Sequence, residues 1–276
     1  MPALARHYKV AESALDGWLV AEELSSVGAE IPDPALREEA RKLAVKAILQ
    51  RAHRLVGPIR PARRMVYEAM AEPYRGELSI ERTVEAMAGK PWPDRQDWVI
   101  ERRENKHQKV VLMMDVSLSM SGRNLALAAL AGAVLALKLP PEDLSVVAFD
   151  STARVLTRLN EPNVTEDLVR AILCQPARGF TNLQAALEAG CREIERGQDR
   201  RRAGLIITDG VYTVGADPTP LAARFPQLFV LLTEDHRMDA TLCQRLANAG
   251  KGDVFRVGGF EDLPARMLDL ANRLLR

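Results

Sequence analysis

The chain has 276 residues, 47% of them hydrophobic and 27% charged, which is enough to bury a sizeable core and excludes disorder as the dominant state. Its 38 basic and 37 acidic side chains nearly cancel, with +2 over residues 1–109 and −1 over 110–276, so no global field draws it to nucleic acid or anionic lipid. The three cysteines, Cys174, Cys191 and Cys243, are far apart and form no C-x-x-C pair, as in a cytoplasmic protein with reduced thiols.

In chain order, residues 4–26, 33–56 and 59–72 have helical apolar spacing, and 79–88 reads as a short helix capped by Ser79. The opening residues lack the uninterrupted apolar core of a signal peptide. Gly89 to Asp94 is a loop signal, and Val99 to Arg103 an extended segment leading into the first core strand. Residues 1–107 are thus expected to form a helical N-terminal extension. After them, apolar runs at 110–116, 144–150, 205–210, 228–234 and 253–259 alternate with helical spacing at 123–139, 165–175, 182–197, 219–225, 239–249 and 261–275. The uncharged run Leu125 to Leu137 is thirteen residues, too short for a bilayer and right for a buried helix. Near-continuous apolar strands alternating with helices predict a parallel sheet covered on both faces. The run 153–159 follows its predecessor after so short a turn that an antiparallel hairpin is expected. The fold class predicted for 108–276 is therefore α/β, a doubly wound, mostly parallel Rossmann-like sheet with one antiparallel edge strand.

The chemistry is carried by Asp115-Val-Ser117-Leu-Ser119, directly after the strand VVLMM. In open α/β sheets, ligands bind beyond the carboxyl ends of the strands, and three oxygen-bearing side chains at alternate positions there converge as the chain turns away. Helix capping by Ser119 or Ser121 competes with this reading while the motif stands alone. Two further elements join it. Thr181 lies in the loop Gly179-Phe-Thr-Asn182, 66 residues after Asp115, and Asp209 ends the run LIITD 28 residues later. Asp115, Ser117, Ser119, Thr181 and Asp209 give five hard oxygen donors on one sheet edge, which suits a small hard cation such as Mg²⁺, with Mn²⁺ or Ca²⁺ as substitutes. Three neutral hydroxyls and two carboxylates leave the ion incompletely neutralised, so it stays open to an acidic oxygen from outside.

These three segments, in this order and setting, resemble the metal-ion-dependent adhesion site (MIDAS) of the von Willebrand factor A family, and the resemblance covers about 108–276. It implies direct coordination by Ser117 and Ser119, and by Thr181 directly or through water, while Asp115 and Asp209 act mainly through water. It also implies a partner Asp or Glu as the sixth ligand, and binding without turnover. Many members have Gly where this chain has Leu118. The stretch GELSIERTVEAM (76–87) is similar to intracellular prokaryotic members of CoxE type, which work beside MoxR-type AAA+ ATPases. The implied partner is such an ATPase or its client, met during metal insertion, maturation or complex remodelling.

Rival readings are weaker. A haloacid-dehalogenase-like phosphatase needs a second Asp where Ser117 stands, and no phosphate-binding glycine motif occurs. Nine basic residues between Arg37 and Arg64, set against Glu38 and Glu39, lack the interleaved aromatics of a nucleic-acid surface and read as a solvated helix face. A helical scaffold with a vestigial metal site is the remaining alternative. His7, His53, His107 and His236 are dispersed, and the cysteines are expected as small core residues. Asp150 is expected to cap its turn, and Thr233 to His236 to form a surface loop. Arg178 and Phe180, flanking Thr181, are expected partner contacts.

Overall fold

The computed structural model describes residues 2–8, 10–11, 15–26, 31–57, 63–70, 76–92, 94–105, 108–197, 201–234, 238–259 and 261–274. The chain opens with three helices, α1 (Pro2–His7), α2 (Gly17–Leu24) and α3 (Pro34–Val56). Asp16 starts α2 by accepting the Leu19 N–H at 2.7 Å, and Asp33 starts α3 by accepting that of Ala35, with Pro34 at the first helical position. The buried side of α3 is built largely from Ala40, Ala44, Ala47 and Ala52, small residues that let a neighbour come close.

Next come β1 (Arg63–Ala69), β2 (Glu77–Leu78), α4 (Ile80–Met87) and β3 (Val99–Asn105). The strands form a sheet of their own in the order β1-β3-β2, antiparallel throughout, with Tyr67 opposite Glu101 and Leu78 opposite Ile100. This corrects the helical spacing expected over 59–72. The run Met65-Val66-Tyr67 favours an extended chain, and its partner strand lies some 34 residues on, where local periodicity gives no sign of it. Val99 to Arg103 is extended as expected and precedes the first core strand in the chain, but as part of β3 it is also the centre of this smaller sheet. Helices α1–α3 supply the expected N-terminal helical region, in a compact unit of residues 1–59 and 107–274, while residues 60–106 form a second unit in which three strands accompany α4.

The rest of the larger unit alternates as expected: β4 (Lys109–Asp115), α5 (Arg123–Lys138), β5 (Leu144–Phe149), β6 (Ala153–Thr157), α6 (Thr165–Leu173), α7 (Leu183–Arg196), β7 (Arg202–Thr208), α8 (Thr219–Ala222), β8 (Leu228–Thr233), α9 (Ala240–Ala249), β9 (Val254–Val257) and α10 (Leu263–Leu274). The strands lie in the order β6-β5-β4-β7-β8-β9, all parallel except β6, which pairs antiparallel with β5. The chain moves from β4 to one side, then returns to place β7 on the other. The strand order therefore reverses between β4 and β7, and a crevice opens beyond their carboxyl ends.

Val111 and Met113 of β4 pack with Leu183 and Leu187 of α7 and with Phe225. On the opposite face, Leu112 meets α5 near Gly132. Helix α5 is buried on every side from Leu125 to Leu135, because α2 and α3 pack against it. Hence its polar face is missing: both its surroundings are apolar.

The hairpin of α2 and α3 depends on close approach. A Cβ at Gly17 would lie 2.6 Å from Ala47 Cβ and 2.6 Å from the Leu43 carbonyl oxygen. Gly17→Ala is expected to destabilise the chain by about 1–3 kcal/mol, as overpacking does, measured by urea denaturation. An unchanged midpoint would show that the two helices separate freely.

Candidate functional site

Asp115 is the last residue of β4 and is fully buried. Its Oδ1 accepts the Ser117 N–H at 2.9 Å, and its Oδ2 accepts the Thr208 hydroxyl, from the end of β7, at 2.7 Å. Thr208 Oγ1 in turn accepts the Gly210 N–H at 3.1 Å. One carboxylate thus holds the loop after β4 to the loop after β7, across the point where the strand order reverses. Ser117 and Ser119 follow on the turn into α5, with their Oγ atoms 3.2 Å apart. Asp209 Oδ1 accepts the Val211 N–H at 2.9 Å. Gly210 has φ +82, and a Cβ there would lie 2.6 Å from the Asp239 carbonyl oxygen, so only glycine suits this turn.

Thr181 comes from the loop ahead of α7. Its N–H donates to Thr213 Oγ1 at 3.1 Å, and its carbonyl accepts the N–H groups of Thr213 and Val214. On the other side, the Phe180 N–H donates to Ser151 Oγ at 3.0 Å and the Asn182 N–H to the Asp150 carbonyl at 2.9 Å. Asn182 then caps α7 through the Ala185 N–H. The loop is therefore fastened on both sides of Thr181.

Four of the five expected residues, Ser117, Ser119, Thr181 and Asp209, line one cleft of about 400 Å³ with Leu118, Phe180, Val211 and Thr213. The fifth, Asp115, lies beneath it. Thr208 and Thr213 were not expected. Both are hydroxyls that only the fold brings to the site, although Thr208 adjoins Asp209 in the run already singled out. Burial pushes the Asp115 carboxyl up to about 7; bonds from Ser117 and Thr208 pull against that rise, and the charge of Asp209 adds to it. Asp115 and Asp209 are 0% and 2% exposed, and neither has a basic ion-pair partner among the described residues.

Other expectations are met in part. Asp150 caps its turn by accepting the Thr152 N–H and pairs with Arg154 at 3.0 Å. Its carboxyl sits below the usual range, since these bonds outweigh the effect of burial. Cys191 and Cys243 are buried, and burial pushes the Cys243 thiol up to about 12. Cys174, expected in the core, is exposed just beyond α6. Of the basic stretch, Arg37 donates to the Ile31 carbonyl and Arg51 stacks 4.7 Å from the Trp18 ring centroid. His107, His236 and Arg60 lie outside the described residues, as do the side chains of Arg63 and Arg64. No helix among the described residues is long and apolar enough to cross a membrane.

Because Thr208 donates to a buried carboxylate, Thr208→Val is expected to cost about 1–3 kcal/mol of stability with the fold intact. Urea titration followed by circular dichroism measures it, and a loss below a few tenths would remove Thr208 from this account.

Residues 110–211 match the family model described as von Willebrand factor type A domain. No curated protein matches the chain. Among solved structures, the von Willebrand factor type A protein from Catenulispora acidiphila aligns with a TM-score of 0.52 at 14% identity, covering 78% of this chain and 50% of that one. Proximal thread matrix protein 1 from the mussel byssus aligns with a TM-score of 0.53 at 17% identity, covering 61% and 46%. A second structure of the mussel protein, described as having a zinc-occupied MIDAS motif, aligns with a TM-score of 0.51 at 18% identity, covering 61% and 48%. At these identities the likeness is one of fold, and this chain spans about half the length of each. Sequence match and sheet topology agree that residues 110–211 carry a von Willebrand factor type A domain.

Proposed function

We propose that Asp115, Ser117, Ser119, Thr181 and Asp209 hold a divalent cation, Mg²⁺ in the first instance, and that the chain uses it to bind a carboxylate of a protein partner without catalysis. One observation carries this reading. Asp209 in the cleft and Asp115 beneath it are two buried carboxylates with no basic ion-pair partner among the described residues, set beside three hydroxyls, and buried anions are retained where a counter-charge offsets their desolvation. The donors fit a hard ion. No trio of His, Cys, Asp or Glu that could hold a metal occurs among the described residues, which leaves a mixed hydroxyl and carboxylate set as the candidate.

Ser117, Ser119 and Thr181 would supply neutral oxygens directly. Asp115 would hold the serine loop through the Ser117 N–H, and Asp209 would act from the outer shell. Bound there, the ion would offer a coordination position to an outside carboxylate. Von Willebrand factor A domains in general mediate protein–protein contacts, and the partner proposed here is a MoxR-type AAA+ ATPase or its client, on the likeness of residues 76–87 to CoxE-type proteins. The cytoplasmic placement rests on the same likeness and on three free cysteines. Nothing at the cleft favours phosphoryl transfer, since Ser117 occupies the place of the second acid.

A second reading has its own observation. Residues 60–106 expose Tyr67, Ile80, Val84 and Trp92, the last at 85%, so this unit offers apolar contact area that no metal governs. Capture from the host lysate separates the two. With Mg²⁺, partner retention is expected for the wild type and its loss for Thr181→Ala and in EDTA; retention in all three conditions would move the interface to residues 60–106. Calorimetry is expected to show Mg²⁺ or Mn²⁺ binding weakened roughly 10- to 100-fold by Asp209→Ala, the usual loss for an outer-shell partner.

A further inference from the structure

We infer that Leu118 and Phe180 make the cleft selective for a protein segment in which an Asp or Glu stands directly beside a large apolar residue. This rests on the metal-site reading above and adds to it the chemistry of the partner. Among the described residues of the larger unit, four large apolar side chains are exposed: Leu118, Val164, Phe180 and Met238. Two of the four, Leu118 at 54% and Phe180 at 62% exposure, line the cleft that holds Ser117, Ser119, Thr181 and Asp209. Half-buried Val211 lies between the same walls.

Neither side chain is exposed because its backbone is loose. Leu118 opens a tight 3-10 turn in which the Met120 N–H donates to the Ser117 carbonyl at 3.0 Å and the Ser121 N–H to that of Leu118 at 3.3 Å. Phe180 sits between Gly179, at φ +84, and Thr181, and its own N–H is bonded to Ser151. Their backbones are fixed and their side chains unpacked, so a partner covering them gains apolar burial with little new ordering of the chain. Rigid aromatic anchors around a polar centre are the usual makings of a binding hot spot.

The charge pattern gives the sign of the partner. The two acids of the site lie below the surface, while Arg178, exposed, begins the loop that carries Phe180 and is tied to the serine loop by its N–H to the Val116 carbonyl at 3.3 Å. An acidic side chain would meet hydroxyls, the ion and Arg178. Its apolar neighbour would meet Leu118 and Phe180. A free small carboxylate would use only the first set of contacts.

The test uses the full chain and fluorescent peptides with a Gly-Ser frame around Glu-Phe, Glu-Leu, Glu-Ser or Gln-Phe, read by anisotropy in millimolar Mg²⁺. Mg²⁺ affinity of each variant is measured alongside by calorimetry. Glu-Phe and Glu-Leu are expected to bind roughly 10- to 100-fold tighter than Glu-Ser, with Gln-Phe unbound. Phe180→Ser and Leu118→Ser should each erode that preference with Mg²⁺ affinity unchanged. Three outcomes would overturn the inference while the ion is bound: equal binding of Glu-Ser, an undiminished preference in the double variant, or no peptide bound at all. Absence of Mg²⁺ binding in the wild type would instead overturn the metal reading beneath it.

Discussion

The site depends on placing an anion, Asp115, where water cannot reach it. A carboxyl at the end of β4, fully buried and with no basic ion-pair partner among the described residues, needs every compensating bond the fold can supply. It receives one from the serine loop and one from Thr208 across the strand-order reversal. Those same bonds set the two loops at a fixed distance from each other. The geometry of the cleft is thus a by-product of satisfying one buried charge, and the shortfall in that satisfaction is what a cation would fill.

Much of this was legible in the residues. The five apolar runs of the second half became β4, β5, β7, β8 and β9, because a strand buried on both faces has to be apolar along its whole length. The hairpin strand at 153–159 was legible from the brevity of its turn. That Ser117, Ser119, Thr181 and Asp209 meet at one cleft, above Asp115, was legible because motif spacing survives without knowledge of packing. What escaped was non-local. The strand Arg63–Ala69 finds its partner at Val99–Asn105, and its apolar residues satisfy a helical period as readily as an alternating one. Thr208 and Thr213 carry no motif of their own and matter only through what the fold sets opposite them. Cys174 escaped because an apolar helix face does not extend to the residue that ends the helix.

Helix α5 shows how one segment can carry two sets of contacts. Its apolar run announced burial, but not that burial comes from the sheet on one side and from α2 and α3 on the other. Six alanines and Gly132 alternate in it with five leucines and Val134, so small residues let its neighbours come close while the leucines fill the space between the layers. The N-terminal helices α1–α3 are therefore part of the same packed body as the sheet, although a family match that begins at residue 110 suggests a natural cut there. A chain trimmed to the matched region would expose the outer side of α5 as a broad apolar surface.

One bond in that body reaches the loop after β4. The Ser25 carbonyl, just past the end of α2, accepts the Gly122 N–H at 2.7 Å, at the residue that caps α5 and closes the turn carrying Ser117 and Ser119. Gly122 stands at φ +70, and a Cβ there would come within 3.1 Å of Ser26 Oγ, so the junction admits little but glycine. In mechanical terms the N-terminal hairpin is a lever whose tip rests on the turn that carries Ser117 and Ser119. The α2–α3 hairpin packs along α5 and also bonds the turn that opens it, so any shift of that hairpin is felt at the turn carrying Ser117 and Ser119 as well as along the helix.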